Sequence, residues 1–274
     1  MLLITGAYGQ LGTALKEAGA DALFADADTL DITNAEAVKR FVGENGVDSI
    51  VNCAAYTAVD RAEDERDLCR KINVDGVKNL AQSGVETVVH VSTDYVFDGK
   101  NCVPYTEADA PAPIGVYAQS KAESECAVME YAPTGVVIRT GWMYGVHGTN
   151  FVKTMRRLGA ERDTLNVVFD QVGTPTYADD LAAAVIRVLP RVKKGSHEIY
   201  HYANEGVCSW YDFAVEIMAL SGLKCKVNPI HSAEYPTKAA RPHFSVLDKT
   251  KIKKTFNLEI PYWKESLIRC LKRF

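Results

Sequence analysis

Residues 5–12, TGAYGQLG, set Gly6, Gly9 and Gly12 three apart directly after the apolar run LLIT. A strand that ends in such a turn and passes at once into a helix commits the chain to a βα unit. The first glycine permits the tight turn. The second lets backbone approach a pyrophosphate, and the third lets helix and strand pack closely. The helix that follows, QLGTALKEAG, points its free N–H groups back at the turn, where phosphates are held. Gly6, Ala7, Tyr8, Gly9, Gln10, Leu11 and Gly12 are therefore the expected cradle of a dinucleotide, with a purely structural glycine turn as the alternative.

Downstream, apolar β-runs alternate with helical stretches, the order that builds a parallel sheet. ADALFADAD reads as a short second strand. TNAEAVKRFVGENG reads as a helix opened by a Thr33–Glu36 capping box and stopped at Asn45-Gly46. DSIVNCAA, TVVHVSTDYVF and TGVVIRTGWMYG are further strands. The charged stretch VDRAEDERDLCRKINVDGVKNLAQSG is expected to be a solvated helix. The fold class is α/β: a Rossmann-like doubly wound parallel sheet with a smaller C-terminal lobe. The expected division gives residues 1–146, with parts of 160–190, to the dinucleotide domain. Residues 147–160 and 191–274 go to an interleaved substrate-binding lobe.

Composition narrows the partners. Among 274 residues, 47% are hydrophobic and 24% charged, so a large soluble core is affordable; the formal net charge of −4 offers nucleic acid or a membrane surface no general attraction. Seven scattered cysteines form no CxxC and no zinc-ligand spacing. With no leader-like segment and no run of ~18 apolar residues, a cytoplasmic protein is expected.

The end of the second strand should meet the adenosine ribose. Asp26 stands there, followed by Ala27 where an arginine could have met a 2′-phosphate. A carboxylate that accepts ribose hydroxyls favours NADH over NADPH.

Reducing a ketone with a nicotinamide takes a hydride on carbon and a proton on oxygen. A free tyrosine holds its proton too tightly to exchange it at neutral pH, and an adjacent ammonium eases that. VYAQSKAE puts Tyr117 and Lys121 one helical turn apart, the one Tyr-to-Lys spacing of four among 13 tyrosines. HVSTDYVFDG brings Ser92 and Thr93 to the carboxyl end of the fourth strand, where substrate should sit. A surface pair and a capping Ser-Thr-Asp are the bland readings. Three segments supplying Thr, Tyr and Lys in order after a dinucleotide turn point instead to proton transfer, with Thr93, Tyr117 and Lys121 as catalytic residues.

TGAYGQLG and YAQSK resemble the extended short-chain dehydrogenase/reductases. VNCAAYTAVDRAE, INVDGVKNLA, STDYVFDG, RTGWMYG, NFVKTM, DQVGTPTYADDLA and ARPHFSVLD extend the likeness over nearly the whole chain. AAYTAVDRAED with STDYVFDG and DQVGTPT resembles the branch that reduces the C4 ketone of a nucleotide-linked 6-deoxy sugar, dTDP-4-dehydro-L-rhamnose. The resemblance implies that Lys121 also bonds the nicotinamide ribose. It implies that Cys53, Ala54 and Ala55, beside Asn52, line the cofactor together with Tyr56, Asp31 and Ile32. Thr93, Asp94, Val96, Trp142, Asn150, Arg241 and Ser245 are the implied contacts to the sugar nucleotide. Trp142 would pack against the sugar, although Trp142 and Tyr144 could equally be core at a strand end. Some relatives dimerise through Mg2+ held by a glutamate two residues after the third glycine. Here that residue is Ala14, so no metal is expected and a monomer or weak homodimer is.

Two rivals share the scaffold. A 4,6-dehydratase would carry Thr-Asp-Glu, whereas Tyr95 stands in place of that glutamate; a 4-epimerase needs only Thr, Tyr and Lys. A non-catalytic regulatory subunit, like the partner of methionine adenosyltransferase, would keep the dinucleotide site and act by contact.

Overall fold

The computed structural model describes residues 1–274. β1 (Leu2–Thr5), α1 (Gln10–Glu17), β2 (Leu23–Ala25), α2 (Ala35–Asn45) and β3 (Ser49–Asn52) open the chain. Three short helices follow: α3 (Val59–Ala62), α4 (Arg66–Arg70) and α5 (Gly76–Ala81), the last two joined by a π-helical segment, Lys71–Asp75. Next come β4 (Thr87–Thr93), α6 (Val116–Tyr131), β5 (Thr134–Thr140), β6 (Met143–Tyr144) and α7 (Phe151–Glu161). The remainder is β7 (Thr164–Val168), β8 (Val172–Gly173), β9 (Thr176–Tyr177), α8 (Ala178–Val188), β10 (His197–His201), β11 (Cys208–Ser209), α9 (Trp210–Leu220), β12 (Lys226–Ile230), α10 (Thr250–Phe256) and α11 (Trp263–Leu271).

Six strands form one parallel sheet in the order β10-β5-β4-β3-β1-β2. Successive residues point to opposite faces, so each strand feeds two cores. Ile4, Val51, Val89 and Ile138 pack on one side with α1 and α8; Leu3, Ile50, Val88 and Val137 pack on the other with α2 and α5. Burial on both faces is why these strands are near-continuous Val, Ile and Leu. The chain leaves β1 toward β2 and then crosses back to β3, which opens a crevice at their carboxyl ends. No helix is long and apolar enough to cross a membrane.

Three expectations are corrected. Asn34, not Thr33, caps α2: Asp31 Oδ1 takes both the Thr33 N–H and its hydroxyl, and Asn34 Oδ1 accepts the Ala37 N–H at 3.0 Å. The charged stretch after β3 is no solvated rod. It is broken into pieces, and one side, with Cys69, Asn73, Val77 and Leu80, is wholly buried. β10, expected in the second lobe, is an edge strand of the main sheet, paired with β5. α10 and the residues up to Ile260 join the same core, through Ile252, Phe256 and Leu258. The lobe proper is the β7–β12 pair with α7, α9 and α11 around Tyr144, Met155, Phe213, Ile217 and Trp263.

Candidate active site

The glycine turn meets β3 at the crevice. Gly6 has φ +68°, and a Cβ there would lie 2.6 Å from Ala54 N, so only glycine fits. A Cβ on Gly12 would overlap Gly6 O, which sets how closely α1 approaches β1. α1 begins after Gly9 with no side chain capping its first N–H groups. Those donors, and the space kept clear of Cβ atoms, fit a dinucleotide pyrophosphate. Asp26 sits beside them, accepting the Tyr8 and Ala27 N–H groups at 2.8 Å each. Of the remaining expected cofactor residues, Cys53, Ala54 and Ala55 are half-buried at the end of β3. The Tyr56 hydroxyl is turned to Glu65, at 2.5 Å. Asp31 is exposed and bonded to Thr33, while Ile32 is buried beneath Gly76.

β4 delivers Thr93 to the sheet edge, and alternation turns Ser92 away: its hydroxyl goes to Glu125, which is ion-paired with buried Arg139. α6 starts at Val116 after Gly115, whose φ of +85° frees the entry, and Glu63 accepts the Val116 N–H at 2.9 Å. That start places Tyr117 in the first turn and Lys121 in the second. Burial raises the Tyr117 phenol above its usual range and the Asp94 charge adds to this, while the Thr93 hydroxyl at the end of β4 eases it. Lys121, 2% exposed, donates to Val91 O at 2.8 Å, and burial pushes its ammonium down to about 8. The three expected catalytic residues thus stand at the end of β4 and in the first two turns of α6.

On the substrate side, Asp94 is buried and accepts from the Thr93 hydroxyl at 3.1 Å; burial raises its carboxyl to about 6, against the lowering influence of the Ser245 hydroxyl. Trp142 adopts φ +50°, a strained backbone for a large residue, and stacks on Trp210 with ring centroids 3.6 Å apart. Gly173 packs under the Trp142 indole and against Ser245, and Gly141 packs against the Asp94 carboxylate. Arg241 donates to both oxygens of Asp60, at 3.0 and 2.8 Å. Beyond it a cleft of about 890 Å³ opens in the second lobe and reaches Asp60, lined by Phe151, Trp210, Tyr235, Lys238 and Arg241 among others. Asn150 and Val96 lie apart. Asn150 caps α7 and donates to Gln10 and Gly145, and Val96 packs in a small core with Phe97, Tyr105 and Leu247.

The model of the RmlD substrate-binding-domain family matches residues 1–274. The chain belongs to the RmlD family. Among its relatives, a dTDP-4-dehydrorhamnose reductase of Aggregatibacter actinomycetemcomitans is 42% identical over 284 residues, covering 97% of this chain and 96% of the relative. A crystal structure of a dTDP-4-dehydrorhamnose reductase from Clostridium acetobutylicum superposes with a TM-score of 0.94 at 43% identity, covering 99% of this chain and 98% of that one. The Bacillus anthracis reductase, solved in complex with NADP, gives 0.94 at 40% identity, covering 100% and 99%.

Sequence reading alone passed over several residues of this RmlD-family site. Asp60 lay within a charged run taken as solvated. Trp210 carries no signal in the sequence, because its stacking partner Trp142 lies on a distant segment. Glu63 and Asn73 gave no local signal, because their partners are 53 and 17 residues away.

Proposed function

We propose that this chain reduces the C4 ketone of dTDP-4-dehydro-L-rhamnose to the alcohol, with NADH or NADPH as the reductant. The reading is carried by Thr93 at the end of β4 and Tyr117 and Lys121 in the first two turns of α6, together with the glycine turn after β1, in an RmlD-family chain. A bound nicotinamide supplies the hydride. Tyr117 gives its proton to the ketone oxygen, which Thr93 positions by hydrogen bonding. The Lys121 ammonium stabilises the phenolate left behind and reaches the cofactor ribose. Trp142, braced by Trp210, offers an aromatic face to the apolar side of the sugar. The cleft beyond Arg241 suits the nucleotide, with Arg241 and Lys238 toward its diphosphate. Asp26 favours NADH at the adenosine end, and Tyr95 in the glutamate position speaks against water elimination.

Absorbance at 340 nm with the 4-keto sugar nucleotide tests this, using NADH and NADPH in parallel. Tyr117→Phe should retain the fold and lower kcat by ~10²-fold or more, as loss of a general acid does. Reduction at the normal rate by that variant would remove Tyr117 from the mechanism. Cofactor binding without any net oxidation would favour the epimerase or the regulatory subunit.

A further inference from the structure

His90, in the middle of β4, is wholly buried and directly touches Lys121. Its Nδ1 faces Asn52 Nδ2 at 2.9 Å; its Nε2 faces Ser124 Oγ at 2.9 Å and Lys121 Nζ at 3.1 Å. Which nitrogen carries the proton follows from a backbone group on the cofactor side. Asn52 Oδ1 accepts the Ala54 N–H at 3.1 Å and the Thr5 hydroxyl at 2.6 Å, so Asn52 turns its NH2 toward the ring. An NH2 only donates. Nδ1 must then accept, and the proton of the neutral imidazole sits on Nε2. Ser124 can receive that N–H, since its own hydroxyl proton goes to Lys121 O at 2.6 Å.

Lys121 Nζ is thus held against a donor, and its bond to Val91 O keeps it there. An ammonium has no lone pair to offer an N–H; a neutral amine has one. We propose that His90 is a positioning residue of the active site: locked by Asn52 as the Nε2–H tautomer, it sets that N–H against Lys121 and loosens the lysine's hold on its proton. Bonds run from His90 through Asn52 to Ala54, so the ring that faces Lys121 is oriented from the strand end that lines the proposed cofactor site.

Burial already lowers the Lys121 ammonium, and the other titratable groups facing this pair act the opposite way. Glu125, one turn along α6, favours the ammonium, and Arg139 pairs with it. Cys53 and Cys69 also favour the ammonium, although burial holds the Cys53 thiol up at about 12. Burial, with the Lys121 charge, keeps His90 well below the ordinary histidine range, so the ring stays neutral and the tautomer persists across neutral pH.

The inference rests on Lys121 serving the proposed reduction, but it can be tested without turnover. In wild-type protein labelled at histidine nitrogen, the His90 15N shifts should report the Nε2–H form. The Lys121 ε-carbon resonance, assigned by its loss in Lys121→Met, should titrate below the ordinary lysine range. His90→Gln, whose amide oxygen can accept from Lys121, and His90→Asn, which leaves nothing opposite Nζ, should raise that midpoint by about one unit, a tenfold gain in proton affinity. The alkaline limb of kcat should rise with it, while a merely structural role would lower stability and leave the limb in place. An Nδ1–H tautomer in the wild type would overturn the proposal whether or not the variants fold. So would an unmoved Lys121 midpoint in both variants. The expected tautomer and titration in a protein that reduces no sugar nucleotide would sink the proposed function and leave the role of His90 standing.

Discussion

Asp94 shows how much of this site is decided one residue at a time. Its carboxylate is buried beside Tyr117, and ionised it opposes formation of the phenolate. Its folded pKa of about 6 lies above the usual aspartate value, so the native state holds this proton more tightly than the unfolded chain does. Stability from this group is complete at acid pH and is lost as pH rises through about 6. Asp94→Asn removes that loss. The variant is expected to be more stable than wild type at pH ~8 by about 3 kcal/mol and to lose the advantage below pH ~4. Urea denaturation across pH checks this; an advantage independent of pH would mean that the carboxyl is not the source. Sequence pattern placed Asp94 at a strand end but could not show its burial, because the residues that cover it, Gly141 and Ser245, come from distant segments.

At the scale of elements, α6 explains why a catalytic helix can be hard to read. Its buried residues mix Ser120, Lys121, Ser124 and Glu125 with Ala118, Ala127 and Val128, so polar groups interrupt the inward face and no continuous apolar stripe marks it. What made the helix legible was the Tyr-to-Lys spacing. The π-helical segment Lys71–Asp75 was not legible. It presents Asn73 so that Oδ1 accepts the Tyr56 N–H at 2.8 Å while Nδ2 donates to Tyr56 O and to Ser120 Oγ. Ser120 in turn donates to Tyr117 O at 2.8 Å. One buried amide thereby ties the strand end at β3 to the first turn of α6. Asn73→Ala leaves those groups unpaired in the interior and should cost about 2 kcal/mol of stability. If the tie matters to the site, it should also weaken cofactor binding, measured by quenching of protein fluorescence. A loss of stability with unchanged cofactor affinity would confine Asn73 to a structural part.

Across the whole molecule, residues 238–241 cross from the lobe to the dinucleotide domain. Arg241 grips Asp60, the Ala239 N–H reaches the same carboxylate, and Lys238 pairs with Asp64. The Asp60 carboxyl is held below its usual range, chiefly by the Arg241 hydrogen bonds, so the strap persists through neutral pH. It borders the cleft proposed for the nucleotide. Arg241→Ala should raise KM for the sugar nucleotide by ~10- to 100-fold, the equivalent of about 1.5–3 kcal/mol for charge-assisted bonds, and move kcat less. Steady-state kinetics separates the two; a fall in kcat at unchanged KM would place Arg241 outside substrate binding.

By itself the sequence determined the parts whose physics is local. The glycine turn dictates a βα unit because only glycine tolerates the φ of Gly6 and its approach to Ala54. Runs such as GVVI dictate buried parallel strands, and Tyr117 with Lys121 follow from helical period alone. Tertiary structure decided what depends on groups far apart in the chain. β10 joins the sheet although HEIYH carries little apolar pattern, because an edge strand needs a partner on one side only and β5 supplies it. Thr93 rather than Ser92 faces the site because the sheet's other side offers Glu125 to the serine. The tautomer of His90 is set by an amide that answers to Ala54 and Thr5, a dependence no spacing of residues could reveal.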